Sequence, residues 1–304
     1  MDIPAIIDRT RGLLVEHYVF QDVAAELDAL LAARTAAYSA ATPEELAAVV
    51  TADLQSVNGD RHLRLKFHRD EVPEGDDEAV MRQVAREFER SLGGVPQLRL
   101  LAGGVVHLEL APSLFPLAWA AEGITAAFTL ASHAEALLLD LRDNTGGDPQ
   151  TVAFACSYLL DEATHLNTMH DRSGAAARQF WSQSHVPGAR FGGTKPVYVL
   201  TSGKTFSGAE ELAYDLQQLD RAVVVGERTG GGAHPRRGFT VHPHLEATVP
   251  VARAVNPVSG TNWELVGVTP DIEVPATDAL DRAHREALAE LDRRGGDSPP
   301  PATA

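Results

Sequence analysis

Three short apolar runs constrain this chain more than anything else in it: Ala136-Leu-Leu-Leu-Asp140, Pro196-Val-Tyr-Val-Leu200 and Ala222-Val-Val-Val225. Each is strand-sized and leaves neither alternating face polar, as happens when a strand is covered on both sides in a parallel sheet. A helical pattern precedes them, from Ile124 to Ser132, and two separate them, from Pro149 to Leu160 and Ser207 to Leu219. Strands returning through helices give an α/β fold with a mostly parallel sheet, whose active loops leave the carboxyl ends of the strands. Val105 to Leu110 reads as one more strand, and the segments near Gly238–His242 and Thr248–Ala252 read as antiparallel strands.

Upstream of this core the rhythm is helical. Ile3, Ile6, Ile7, Leu13 and Leu14 recur at helical spacing, as do Val23, Leu27, Leu30 and Leu31. Thr42-Pro43-Glu44-Glu45 is a helix start, with Thr42 as cap, Pro43 in the first turn and Glu45 closing a capping box. That helix should end near Asn58-Gly59, be followed by a strand over His62–Phe67, and a further helix should run from Asp76 to Leu92. The expected organisation is a helical domain over 1–95, an α/β core over 96–293 closed by a helix from Asp278 to Arg293, and a disordered tail over 294–304.

Composition excludes several classes of function. Of 304 residues 42 are acidic and 26 basic, a formal charge of −16, and the only lysines are Lys66, Lys195 and Lys204. Such a surface repels phosphate, so neither nucleic acid nor an anionic membrane is an expected partner. The single Cys156 excludes an intramolecular disulfide and any multi-cysteine metal site. No basic leader with an apolar run opens the chain, and no stretch is apolar enough to span a bilayer, so a cytoplasmic protein is expected.

Two stretches carry chemistry. In Leu200-Thr-Ser-Gly-Lys-Thr-Phe-Ser207-Gly208-Ala-Glu-Glu211 a buried strand runs into a small-residue turn, and Ser207 stands at the start of a helix. There the free amides and the helix dipole favour a developing oxyanion, with Gly208 the natural first donor. On the local pattern alone Ser207 reads first as a simple helix cap, the usual role of serine at such a place. In Leu139-Asp-Leu-Arg-Asp-Asn-Thr-Gly146-Gly147 another strand turns before a helix. The paired glycines let backbone approach a ligand, and an amide of Gly146 or Gly147 can supply a second donor. The plainer alternative is a tight turn in which Asp140 and Arg142 form a structural pair.

Together, Asp-Leu-Arg-Asp-Asn-x-Gly-Gly from Asp140 and Thr-Ser-x-x-Thr-Phe-Ser-Gly-Ala-Glu-Glu from Thr201 closely resemble the carboxyl-terminal-processing (tail-specific) serine proteases. That superfamily also holds the tricorn core protease and the modules of interphotoreceptor retinoid-binding protein. Val-Val-Gly-Glu-Arg-Thr-Gly-Gly-Gly-Ala from Val224 and Asn-Trp-Glu-x-x-Gly-Val-x-Pro-Asp-Ile from Asn262 follow in the family's order. The resemblance spans about residues 40 to 285 and implies a crotonase-like or ClpP-like core. It implies Ser207 as nucleophile, Gly208 as one oxyanion donor and Gly146 or Gly147 as the other. The family lysine is absent, its place in Thr229-Gly-Gly-Gly-Ala233 falling on Gly232, and Lys204 reads as a solvated surface residue.

The tricorn branch takes its base from a histidine assisted by a glutamate, and His62 and Glu264 occupy those two places here. An imidazole can take a serine proton near neutral pH and return it to the leaving amine. Arg61 stands where tricorn has a hydroxyl residue. His242 and His244, read as sharing one face of a strand, could in principle converge on a metal, but no carboxylate stands at a persuasive spacing. The resemblance implies a metal-free, cofactor-free site. No peptide-binding PDZ domain fits between His62 and Gln97, which places the chain in the compact retinoid-binding-protein-like branch.

The expected function is a serine peptidase acting on short peptides or protein C-termini. The alternative is a silent module holding a small hydrophobic ligand.

Overall fold

The computed structural model describes residues 1–72 and 77–296. In chain order the first elements are α1 (Ile3–His17), α2 (Gln21–Arg34), α3 (Pro43–Asn58), β1 (Arg64–Phe67) and α4 (Asp77–Arg90). There follow β2 (Gln97–Leu100), β3 (Val105–Glu109), α5 (Leu117–Ala131), β4 (Ala136–Asp140) and α6 (Pro149–Ser157). Then come β5 (His165–Asp171), β6 (Ala176–Trp181), β7 (Val197–Thr201), α7 (Gly208–Gln218) and β8 (Val223–Gly226). The chain closes with β9 (Arg236–His242), β10 (Leu245–Pro250), β11 (Ala252–Val255), β12 (Ile272–Glu273) and α8 (Ala276–Gly296). The expected disordered tail falls, from residue 297 onward, outside the described residues, while residues 294–296 complete α8. Among the described residues no helix is long and apolar enough to cross a membrane.

The chain divides into two compact units, and neither is contiguous in sequence. The first unit takes Met1–Arg86, Asn167–Gln179 and Gly231–Leu265. In it, α1, α2 and α3 bury Ile7, Leu14, Leu27, Leu31, Leu46 and Val50 on the apolar face of the antiparallel sheet β1–β10–β9. The capping box of α3 forms as expected: the Glu45 amide donates to Thr42 Oγ1 (3.2 Å) and the Thr42 amide to Glu45 Oε2 (3.3 Å). The helix ends on Gly59 at φ +75°, a left-handed cap that glycine adopts at little cost. The stretch expected as one strand over Thr248–Ala252 breaks at Val251, whose amide turns aside to the carbonyl of Pro235 (2.9 Å). β11 then leaves to pair antiparallel with β5, in a sheet ordered β11–β5–β6.

The second unit takes Glu87–Leu166, Phe180–Gly230 and Val266–Ala304. Its sheet runs β12–β8–β7–β4–β3–β2, parallel throughout except for β2 against β3. The three apolar runs are its centre, and every residue of β4 and β7 is buried. Ala279, Ala283 and Ala287 of α8, at four-residue spacing, are fully buried in a cluster with Leu138, Leu200 and Val225. Small side chains let that helix lie close to the sheet. α5 begins seven residues before the expected Ile124, directly after Pro116, where no side chain caps it.

Candidate active site

In the second unit, two loops leave the carboxyl ends of β4 and β7 and are stitched to each other. Ser202 Oγ donates to the Arg142 carbonyl (2.5 Å), Thr205 Oγ1 to the Leu141 carbonyl (2.8 Å), and the Phe206 amide to the Asn144 carbonyl (3.2 Å). Asn144 is buried and braces the first loop. Its Nδ2 donates to the Leu110 carbonyl (2.9 Å), and its Oδ1 accepts from the Gly146 amide (2.8 Å). The Gly146 N–H is therefore committed. Of the two glycines expected to offer a donor, Gly147 is exposed, and its N–H is without a hydrogen-bond partner among the described residues.

These loops press against Ser207 and Gly208. A Cβ on Gly146 would fall 2.6 Å from Ser207 Cβ and 2.7 Å from the Gly208 nitrogen, and one on Gly208 would fall 3.0 Å from the Gly147 nitrogen. Only glycine permits so close an approach of backbones. Ser207 itself sits at φ +53°, ψ −123°, a conformation that costs a side-chain-bearing residue about 1–3 kcal/mol and persists only where its surroundings enforce it. The enforcing group is Glu210, fully buried one turn along α7, whose Oε2 accepts the Ser207 amide (2.8 Å). Its Oε1 accepts the Thr229 hydroxyl (2.5 Å), and Thr229 Oγ1 in turn accepts the Val268 amide (2.7 Å). The sequence shows Ser207 as a plausible cap but gives no sign of this strain, because positive φ at a serine has no local signature.

Asp140 and Arg142 form the structural pair anticipated as the plainer reading, at 2.6 and 2.9 Å, with His107 Nε2 2.9 Å from the same carboxylate. Burial alone would raise the Asp140 pKa, but hydrogen bonds from His107 and Arg142 outweigh it and hold the group at about 2. Lys204 is the expected surface residue, its side chain 77% exposed and ion-paired to Asp143 at 2.8 Å.

In the first unit, the loop after α3 and the loops around 233 and 264 bring His62 and Glu264 together. Ionisable atoms of Asp60, His62 and Glu264 lie within 4.8 Å of one another. His62 is buried. Its amide donates to Asp60 Oδ1 (3.0 Å) and its carbonyl accepts from Thr248 Oγ1 (2.6 Å). Burial lowers the ring's pKa to about 4, with Asp60 opposing and Arg236, His234 and Arg64 adding to the depression. Glu264 accepts the amides of Arg61 (3.3 Å) and Ala233 (2.5 Å). Burial raises its pKa, against the pull of His234. Trp263, fully buried beside it, donates Nε1 to the Gly232 carbonyl (2.9 Å) and fixes this loop on the triple-glycine segment.

Asp60, His62 and Glu264 have the donor types of a metal site, but the carboxylates are already spent on N–H and O–H donors. Asp60 accepts from the His62 amide, Tyr18 and His234, and Glu264 from two backbone amides. These bonds tie the three residues into one hydrogen-bonded network. The pair His242 and His244 does not share a strand face, since the chain turns at Pro243 between β9 and β10. His242 Nδ1 accepts the His244 amide (3.1 Å), which removes it as a ligand.

Residues 116–274 match the family model described as peptidase family S41, and residues 1–91 match that described as the N-terminal domain of Peptidase S41 in eukaryotic IRBP. The chain belongs to peptidase family S41. Members of this serine peptidase family that it resembles include carboxyl-terminal-processing peptidase 2 of Arabidopsis thaliana, 30% identical over 152 residues, which are 47% of this chain and 27% of that protein. The carboxyl-terminal-processing protease of Synechocystis is 30% identical over 138 residues, covering 45% of this chain and 30% of the relative. The chain thus spans less than a third of the length of these curated relatives. The fold resembles the crystal structure of a protein from Parabacteroides merdae, with TM-score 0.65 and 17% identity over 96% of this chain and 99% of that one.

Proposed function

We propose that this S41 family member is a serine peptidase that cleaves short peptides or protein C-termini through an acyl-enzyme. Ser207 attacks the scissile carbonyl, and His62 takes its proton and returns it to the leaving amine. Glu264 assists the imidazole, and the amides of Gly208 and Gly147 hold the oxyanion. One observation supports this above the others: Ser207 is held at φ +53° beside two backbone N–H groups. A helix cap has no need of that strain, whereas a nucleophile presented at a sharp strand-to-helix turn does. Burial of His62 keeps the imidazole neutral at physiological pH, so its lone pair is open to a proton, at the cost of a lower basicity.

The test is a fluorophosphonate probe together with a C-terminally varied peptide library. Wild-type protein should label and turn over substrate, and Ser207→Ala should do neither while melting at the same temperature. Labelling that survives in the alanine variant overturns the assignment of Ser207.

A second reading has its own support in the match of residues 1–91 to the IRBP-type domain and in a cavity of about 700 Å³ in the first unit, lined in part by Ile6, Val72, Val241 and Pro243. A silent module would quench tryptophan fluorescence on adding retinoid or fatty acid, and would leave every peptide intact. The lone, buried Cys156 fits a reducing compartment, in line with the cytoplasmic location expected from sequence.

A further inference from the structure

Asp60 is fully buried, and its carboxylate gathers three donors, two of them from distant parts of the chain. Oδ1 accepts the amide of His62 (3.0 Å), and Oδ2 accepts the Tyr18 hydroxyl (3.0 Å) and faces His234 Nδ1 at 2.8 Å. With Asp60 ionised, the proton of that last contact sits on Nδ1 and the imidazole is the donor. His234 is itself buried against the edge of Phe20, ring centroids 5.1 Å apart, and its Nδ1 stands 3.5 Å from Glu264 Oε2. The same imidazole therefore touches the carboxylate that anchors residue 62 and the carboxylate at 264.

We infer that Asp60 and His234 are positioning residues for His62: a buried imidazole–carboxylate bridge that fixes the backbone of the base with one oxygen and ties it to the Glu264 loop with the other. The inference rests on the reading of His62 as the general base. An imidazole whose Nδ1 is held by a buried carboxylate is rigid in ring orientation as well as in place, so the bridge orders the whole cluster rather than filling space.

The bridge also sets charge around the His62 ring. Asp60 draws its pKa up. His234 pushes it down, together with Arg236 on β9 and Arg64 on β1, while Glu264 completes the cluster at the facing loop. A pair that only filled the core would shift the ring the same way whichever member was changed. Asp60 and His234 act on the ring in opposite directions, so changing one or the other shifts it in opposite ways.

The experiment uses full-length protein labelled with ¹⁵N-histidine and long-range ¹H–¹⁵N spectra, with the His62 signal assigned from His62→Gln. Asp60→Asn should lower the His62 midpoint and His234→Asn should raise it, each by about half a pH unit or more. In turnover, His234→Ala should lose up to about a hundredfold in kcat with KM nearly unchanged, because the base is displaced rather than the substrate released. His234→Asn, whose side-chain amide can still donate to Asp60, should recover most of that loss. Midpoints that stay put or move together, or an asparagine variant as damaged as the alanine, overturn the inference. If His234→Ala does not fold, the two asparagine variants decide the matter. If wild-type protein fails to label at Ser207, the peptidase reading falls, while the spectra still decide whether the bridge governs residue 62.

Discussion

Replacing His62 by glutamine should flatten the acid side of the protein's stability profile. The unfolded chain binds a proton at an imidazole pKa of 6.5, whereas the folded chain holds the ring near 4, chiefly through burial. Between those two values the unfolded state carries more protons than the native one, so native stability falls as pH falls. The contribution is fully present above pH 6.5, is lost progressively below it, and is gone by about pH 4. The gap corresponds to roughly 3 kcal/mol, a large share of the 5–15 kcal/mol that holds a typical domain together. Urea unfolding followed by the fluorescence of buried Trp263 at pH 7.5, 6.5, 5.5 and 4.5 measures it. His62→Gln carries a constant packing penalty at all pH, so the comparison is of slopes. The wild type should lose about 2–3 kcal/mol more than the variant between the extremes. Parallel profiles would refute a ring held neutral by burial. With His62 as the proposed base, kcat/KM should hold from pH 7 down to about 5 and fall with a midpoint near 4.

Three further substitutions probe the serine side. Gly147→Ala places a Cβ 1.9 Å from the Leu114 carbonyl oxygen at φ +147°, and the clash with backbone should abolish probe labelling and lower the melting temperature in a thermal scan. Glu210→Ala leaves the Ser207 amide and the Thr229 hydroxyl without their buried acceptor. It should cost about 1–3 kcal/mol in urea unfolding and release Ser207 from its strained conformation, with probe labelling slowed at least about tenfold. Lys204→Ala removes only an exposed ion pair with Asp143. Peptide turnover should stay within about twofold of wild type, and a much larger drop would make Lys204 part of the proton-transfer machinery.

Much of this was legible from residue order. The three apolar runs became β4, β7 and β8 because a strand buried on both faces leaves no polar residue to disguise it. Thr42 and Glu45 marked a helix start because the capping box is local chemistry. β5 and β6 escaped notice: Asn167 and Thr168 are buried polar residues in a strand, which removes the alternation by which strands are recognised. Ser207 and the paired glycines stood out, but which glycine amide was spoken for depended on Asn144, two residues away and buried. Asp60 and His234 were missed as partners because 174 residues separate them and nothing in either segment points to the other.

The chain changes units five times, at 86/87, 166/167, 179/180, 230/231 and 265/266. Two of these crossings flank the segment from Gly231 to Leu265, which carries both His234 and Glu264. The segments that carry the proposed base and its assisting carboxylate are consequently not contiguous. Exchange of the amino-terminal segment alone would separate residue 62 from residue 264, and any single cut of the chain divides at least one of the two units.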